Sequence, residues 1–197
     1  MHVEETGLCE AERHLNILRT EINDMCIIEP KVFGDARGFF FESYNERDFE
    51  SALGLQLRFV QDNHSRSSHG VLRGLHYQLP PHAQGKLVRV AQGTVFHVVV
   101  DLRRRSPSFA RWFGMTLTAE SHRMVWVPAG LAHGFLVTSG SADFLYKTTD
   151  YYAPESERCL RWDDPTIGIA WPTLDRPPVL TDRDASAPPF QQVALFE

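Results

Sequence analysis

Cysteine is scarce in this chain: Cys9, Cys26 and Cys159 are all it has, odd in number, far apart and without a CxxC pair. Neither a disulfide framework nor a zinc knuckle is indicated, and a reducing compartment fits best. Long apolar runs are missing as well. No stretch approaches the ~20 apolar residues of a membrane helix. The first thirty residues carry Glu4, Glu5, Glu10, Glu12 and Glu21 in place of the apolar segment of a secretory signal. A cytoplasmic protein without membrane contact is therefore expected. A basic excess is also lacking. With a formal net charge of -5, no broad cationic face is available for phosphate backbones, so nucleic acid is not an expected partner. The single basic cluster, Arg103 to Arg105, reads as a solvated loop after a strand.

What is present is enough for one sizeable core. The chain has 197 residues, 43% of them hydrophobic and 11% aromatic, which suits one domain better than two. Residues 1–14 are acidic and without periodic pattern, an N-terminal extension; residues 15–197 form the domain. ILRTEI, from Ile17, reads as an edge strand. In IIEPKVFGDARGFFFESYN, β-branched and aromatic residues flank a turn signal at Gly34 and Asp35, which predicts a hairpin ending near Asn45. Asn45 then has the properties of an N-cap, Phe49 and Leu53 stand four apart, and Gly54 closes a short helix. From Leu57 the pattern becomes short strands and turns, LRFVQDNHS through ADFLYKTTDYY, as in an all-β sandwich or barrel. In TVFHVVVDL, Phe96, Val98, Val100 and Leu102 make one apolar face and His97 points the other way. Beyond Pro154 the chain is irregular and proline-rich, consistent with loops and a short helix outside the barrel.

Chemistry concentrates in GVLRGLHYQLPPHAQGK, residues 70–86. A structural strand has no use for an arginine, a histidine and a lysine so close together. His76 is the candidate general base, with Arg73 and Lys86 holding and polarising an anionic substrate. Alternate strand residues face opposite sides, so Arg73 and His76, three apart, share a site only if the strand bulges between them. Gly74 is the residue for such a bulge. The bland alternative is a core histidine satisfied by a neighbour. Lys86 taken alone reads as an exposed edge residue, since burying it requires an anion or acceptor. Tyr146 alternates with Phe144 and Thr148; if that face is inward, its hydroxyl can donate a proton. A rival reading places a metal between His133, in PAGLAHGF, and His76. It lacks the His-x-His pair of a metal cupin, because His76 is followed by Tyr77 and Gln78.

Taken together, VFGDARGFFFESYN, FVQDNHSRSSHGVLRGLHYQ, AQGKLVRV, VPAGLAHGFLV, FLYKTTDYYAPESE and RWDDPTIGIAWP resemble the dTDP-4-dehydrorhamnose 3,5-epimerase family, from about Ile17 to about Pro189. The resemblance implies a cupin-type β jelly roll with a few short peripheral helices, a homodimer, no metal or organic cofactor, and a dTDP-sugar substrate. It implies that His76 takes the proton, Asp184 orients it, Tyr146 returns a proton to the opposite face, and Lys86 faces the enolate oxygen. It assigns substrate contacts to Phe33, Arg37, Glu42, Gln61, Asn63, Arg73, His133, Tyr152 and Glu157.

The implied reaction is chemically coherent. A 4-keto group acidifies the hydrogens on both neighbouring carbons, so inversion needs a base, an acid across the ring and a cation or donor at the oxygen. Guanidinium forks such as those of Arg73 and Arg37 suit a pyrophosphate. One position departs from the resemblance, which implies an aspartate where this chain has His97; a histidine cannot pair with Lys86 as a carboxylate would. Epimerisation at one carbon only therefore stays open, as do a metal-dependent cupin and a noncatalytic sugar-nucleotide binding module.

Overall fold

The computed structural model of the chain describes residues 15–197; the segment expected to be an N-terminal extension lies outside the described residues. Two antiparallel sheets face one another. The first has six strands in the order β1 (Leu15–Arg19), β2 (Cys26–Pro30), β10 (Met124–Val127), β7 (Lys86–Gln92), β12 (Ser141–Thr148) and β5 (Gln61–Ser68). The second has five: β13 (Glu157–Cys159), β6 (Leu72–Gln78), β11 (Leu131–Val137), β8 (Thr94–Asp101) and β9 (Trp112–Thr118). From β5 to β13 consecutive strands fall on alternate sheets, with β8 and β9 the one exception. This is a jelly-roll sandwich; the strand spacing predicts the all-β sandwich or barrel, and the family resemblance implies the jelly roll.

Burial on three levels explains why strands such as β8, β10 and β11 are largely apolar on both faces. Between the sheets, Val88, Val125 and Phe144 of the first meet Val99, Leu117 and Phe135 of the second. Phe144 is 1% exposed and stacks on Phe135 at 4.2 Å between ring centroids, so truncating it would cost about 3–5 kcal/mol. The Val98, Val100 and Leu102 face of β8 points outward, where Ile167, Trp171 and Phe196 of the C-terminal segment cover it. The apolar row expected on β8 is thus real, yet it packs beneath the irregular tail while His97 enters the space between the sheets. On the outside of the six-stranded sheet, Phe49 and Leu53 of α1 (Glu46–Leu53) cover Ile28, Leu87 and Trp126.

Local signals place the peripheral elements. Asn45 caps α1 by accepting from the Asp48 amide, and Gly54 ends it in the left-handed region at φ 67°. ILRTEI holds the edge strand β1. The hairpin β3 (Phe33–Asp35) and β4 (Gly38–Phe40) turns at Ala36 and Arg37, two residues beyond the predicted Gly34–Asp35 turn. Asp35 accepts from the Arg37 amide and guanidinium, an Asx-type closure that sets the turn. Two strands depart from the sequence pattern: β2 is a separate strand of the six-stranded sheet, not the start of the hairpin, and β13 is only three residues long.

Candidate active site

The bulge that the spacing of Arg73 and His76 demands is there. His133 of β11 pairs with His76 and Phe135 with Arg73, so three steps on β6 oppose two on β11. Gly74 sits at φ +129°, and a Cβ on it would come 2.6 Å from the Cα of Gly134 and 2.9 Å from the carbonyl oxygen of His133. Only glycine tolerates both the angle and the approach. Directly paired residues share a face, so His76 and His133 both point between the sheets from the five-stranded side.

His76 Nε2 lies 2.6 Å from Asp184 Oδ1. Asp184 is 2% exposed and belongs to the short helix α2 (Asp182–Ala185), whose N-cap Thr181 accepts from the Asp184 amide. Burial pushes its carboxyl upward, but hydrogen bonds from His76 and Thr181 outweigh burial and hold it below the ordinary carboxylate value. An ionised carboxylate only accepts, so His76 donates from Nε2 and its Nδ1 keeps the free lone pair.

Tyr146 reaches the same interior from the opposite sheet. It pairs with Val88 on β7 and Asn63 on β5, and its ring is 6.2 Å from that of His133. Burial first, then Glu157, raise its pKa, so the phenol holds its proton. Lys86 is 6% exposed, on an inner strand between β10 and β12 rather than at a solvent edge as its sequence context suggests. It makes no hydrogen bond or ion pair among the described residues. Desolvation lowers its pKa to about 8, with Glu157 opposing. His97 and His133 complete the group, 1% and 7% exposed, with His97 Nε2 3.3 Å from His133 Nδ1. Burial and the Lys86 charge hold both rings neutral, His97 at about 3 and His133 well below the ordinary imidazole value.

Further polar side chains are joined by hydrogen bonds. Gln61 Nε2 donates to Asn63 Oδ1 at 2.9 Å, and the Tyr152 amide donates to Gln61 Oε1 at 3.0 Å. The Tyr152 hydroxyl donates to Glu157 Oε2 at 2.7 Å, and Arg183 donates to the same oxygen at 2.6 Å. Arg73 Nε donates to Ser67 Oγ at 2.9 Å. Arg183 was not singled out from the sequence, yet it ties α2 to β13 and so fixes the neighbouring Asp184. The T-x-x-D spacing of Thr181 and Asp184 is the capping signal that could have located this helix. Phe33, Arg37 and Glu42 lie elsewhere. Arg37 is engaged with Asp35, and Phe33 and Glu42 line a groove of about 540 Å³ with Lys31, Phe40 and Arg47.

His76, Cys159 and Asp184 place potential metal-ligand atoms within 4.8 Å of one another. The set fits a cation poorly. Burial pushes the Cys159 thiol up to about 12, keeping it protonated, and the His76–Asp184 hydrogen bond occupies the two other donors. His133, the second histidine of the metal reading, is not in this set; its Nδ1 is turned to His97.

An imidazole held by a carboxylate on one wall, with a phenol and a buried cation on the facing wall, suits proton transfer at both faces of a small ring. Residues 19–192 match the family model described as dTDP-4-dehydrorhamnose 3,5-epimerase. The chain is 57% identical over 178 residues to the dTDP-4-dehydrorhamnose 3,5-epimerase of Pseudomonas aeruginosa, covering 90% of this chain and 97% of that one. It is 52% identical over 182 residues to the enzyme of that name from Shigella flexneri, covering 92% and 99%. Among solved structures, it is similar to the dTDP-6-deoxy-D-glucose-3,5-epimerase of Legionella pneumophila in complex with dTDP-4-keto-L-rhamnose. The TM-score is 0.88 at 50% identity, over 92% of this chain and 95% of that one.

Proposed function

The chain belongs to the dTDP-4-dehydrorhamnose 3,5-epimerase family and is an isomerase of that activity, and we propose that it works through His76 as base, Tyr146 as acid and Lys86 at the enolate oxygen. His76 Nδ1 removes the hydrogen from a carbon beside the 4-keto group. The C–H electron pair moves into the ring and the carbonyl pair onto oxygen, giving an enolate that the Lys86 ammonium faces. Tyr146 gives its hydroxyl proton to the opposite face of that carbon, the carbonyl reforms and the centre is inverted. Solvent then resets the imidazolium and the phenolate, and the second carbon follows the same course. Asp184 holds the His76 tautomer and stabilises the imidazolium.

The observation that carries this reading is His76 on one sheet, held by Asp184 of α2, facing Tyr146 on the other, with His133 adjacent to both. In this reading Gln61, Asn63, Tyr152, Glu157 and Arg73 would meet a sugar hydroxyl or a pyrophosphate of the substrate. No organic cofactor enters any step. Solvent deuterium incorporation at carbons 3 and 5 tests the reaction. Exchange at both supports it, and exchange at one alone favours the single-position epimerase.

The same reading includes a homodimer and a cytoplasmic setting. Phe33, Phe39 and Phe40 of the hairpin are 50%, 63% and 66% exposed, an apolar patch that a second copy would cover. Because the hairpin shapes its own groove rather than the histidine interior of its own chain, Phe33, Arg37 and Glu42 would meet a nucleotide held by the partner. Among the described residues no helix is long and apolar enough to cross a membrane.

A further inference from the structure

The space between the sheets holds two imidazoles to which the steps above give no part, His133 and His97. His97 is 1% exposed, its Nε2 is 3.3 Å from His133 Nδ1, and its own Nδ1 is sealed from solvent without a hydrogen-bond partner among the described residues. Two neutral rings joined by one N···N hydrogen bond have two arrangements. In the first, His97 donates from Nε2, leaving a bare lone pair on its sealed Nδ1 and placing the proton of His133 on Nε2. In the second, His133 donates from Nδ1, its Nε2 becomes a bare acceptor, and the proton of His97 is stranded on the sealed Nδ1.

The first arrangement is the better one. A buried N–H without an acceptor is among the rarest defects in a folded interior, more so than an under-satisfied acceptor. Burial and the nearby Lys86 charge, which depress the basicity of both rings, keep each to a single N–H in either arrangement. Nor does Phe144 offer an aromatic face to an Nδ1–H: its ring is 5.8 Å away and tilted 38°, not perpendicular. His133 is meanwhile placed between the two acting groups, opposite His76 on the strand ladder and 6.2 Å from the Tyr146 ring.

We propose that His97 is a positioning residue: by donating to His133 Nδ1 it fixes His133 as the Nε2–H tautomer, a neutral donor aimed at an oxygen of the bound sugar. This rests on the reading that the sugar occupies the interior between His76 and Tyr146. A second donor there shares with Lys86 the charge that develops on oxygen, and a ring that does not ionise keeps that role without taking up the transferred proton.

Long-range ¹H–¹⁵N imidazole spectra of ¹⁵N-histidine-labelled protein at pH 7 read the tautomers, with signals assigned through His97→Gln and His133→Gln. The expected wild-type result is Nε2–H on both His97 and His133. His97→Gln, whose amide can also donate, retains the His133 tautomer and most of kcat. His97→Phe removes the donor, mixes the His133 tautomers and lowers kcat with little change in KM, by up to about 100-fold, the scale of losing one preorganised donor. Nδ1–H on His133 in the wild type overturns the proposal, and that spectrum decides even if His97→Phe fails to fold. An unchanged tautomer in His97→Phe, or unchanged kcat once the tautomer is lost, overturns it equally. Deuterium exchange surviving in His76→Ala would instead overturn the reading of the reaction itself, whatever the tautomer of His133.

Discussion

His76 Nε2 and Asp184 Oδ1, 108 positions apart in the chain, meet at 2.6 Å. The carboxylate comes from a four-residue helix that lies against β6, tied down by Thr181 and by the Arg183–Glu157 ion pair. One nitrogen of the imidazole is thereby committed, and the other is free to act. Several consequences can be measured.

Asp184→Asn should leave the fold in place and impair the base. An amide can donate to Nε2 as readily as accept from it, so the reactive tautomer is no longer enforced. Loss of the carboxylate from a comparable histidine pair costs about 10⁴-fold in turnover; a fall of at least about 100-fold in deuterium exchange at both carbons is expected here. Near-wild-type exchange would remove Asp184 from the mechanism.

Tyr146→Phe separates the two proton transfers. His76 can still form the enolate, so solvent deuterium should enter the substrate faster than inverted product appears. Rapid-quench mass and NMR analysis gives both rates, and equal losses in both would contradict a donor role for the phenol.

Lys86 sets an alkaline limit. In the proposed mechanism its charged form faces the enolate, and burial lowers its pKa to about 8, so activity is expected below that value and should decline as pH rises through it. A kcat/KM profile should show this limb. In Lys86→Arg, whose guanidinium stays charged, the limb should vanish from the accessible range even if the rate is lower. The sign for stability is opposite: between about 8 and the unfolded value of 10.5 the unfolded chain binds more protons, so the free protein becomes more stable as pH rises across that window.

Gly74→Ala tests the bulge. A methyl group at φ +129° and 2.6 Å from the Gly134 Cα forces the two strands apart, with a cost of about 2–4 kcal/mol by comparison with other strained or overpacked sites. Urea unfolding measures the loss. Activity should fall further than stability accounts for, since Arg73 and His76 no longer share a face.

Phe39→Asp tests the exposed hairpin. Charge on that apolar patch should shift sedimentation toward monomer while leaving the thermal transition of the single chain nearly intact. Unaltered sedimentation would separate the hairpin from any dimer contact.

By itself the sequence determined whatever depends on neighbours a few positions apart. Asn45, Phe49, Leu53 and Gly54 specify α1, turn residues punctuate the strands, and Gly74 between Arg73 and His76 announces a bulge, because caps, pleat and φ are local properties. The resemblance of its motifs, too, was legible without coordinates. Tertiary structure decided the rest: that Lys86 is buried instead of lying at an edge, that the apolar face of β8 lies under the C-terminal tail, that Arg183 anchors Asp184, and that His97 touches His133. Each of these depends on which strands become neighbours and in what register. A one-residue shift reverses every side chain on a strand, and no pattern within a strand says which sheet it will join.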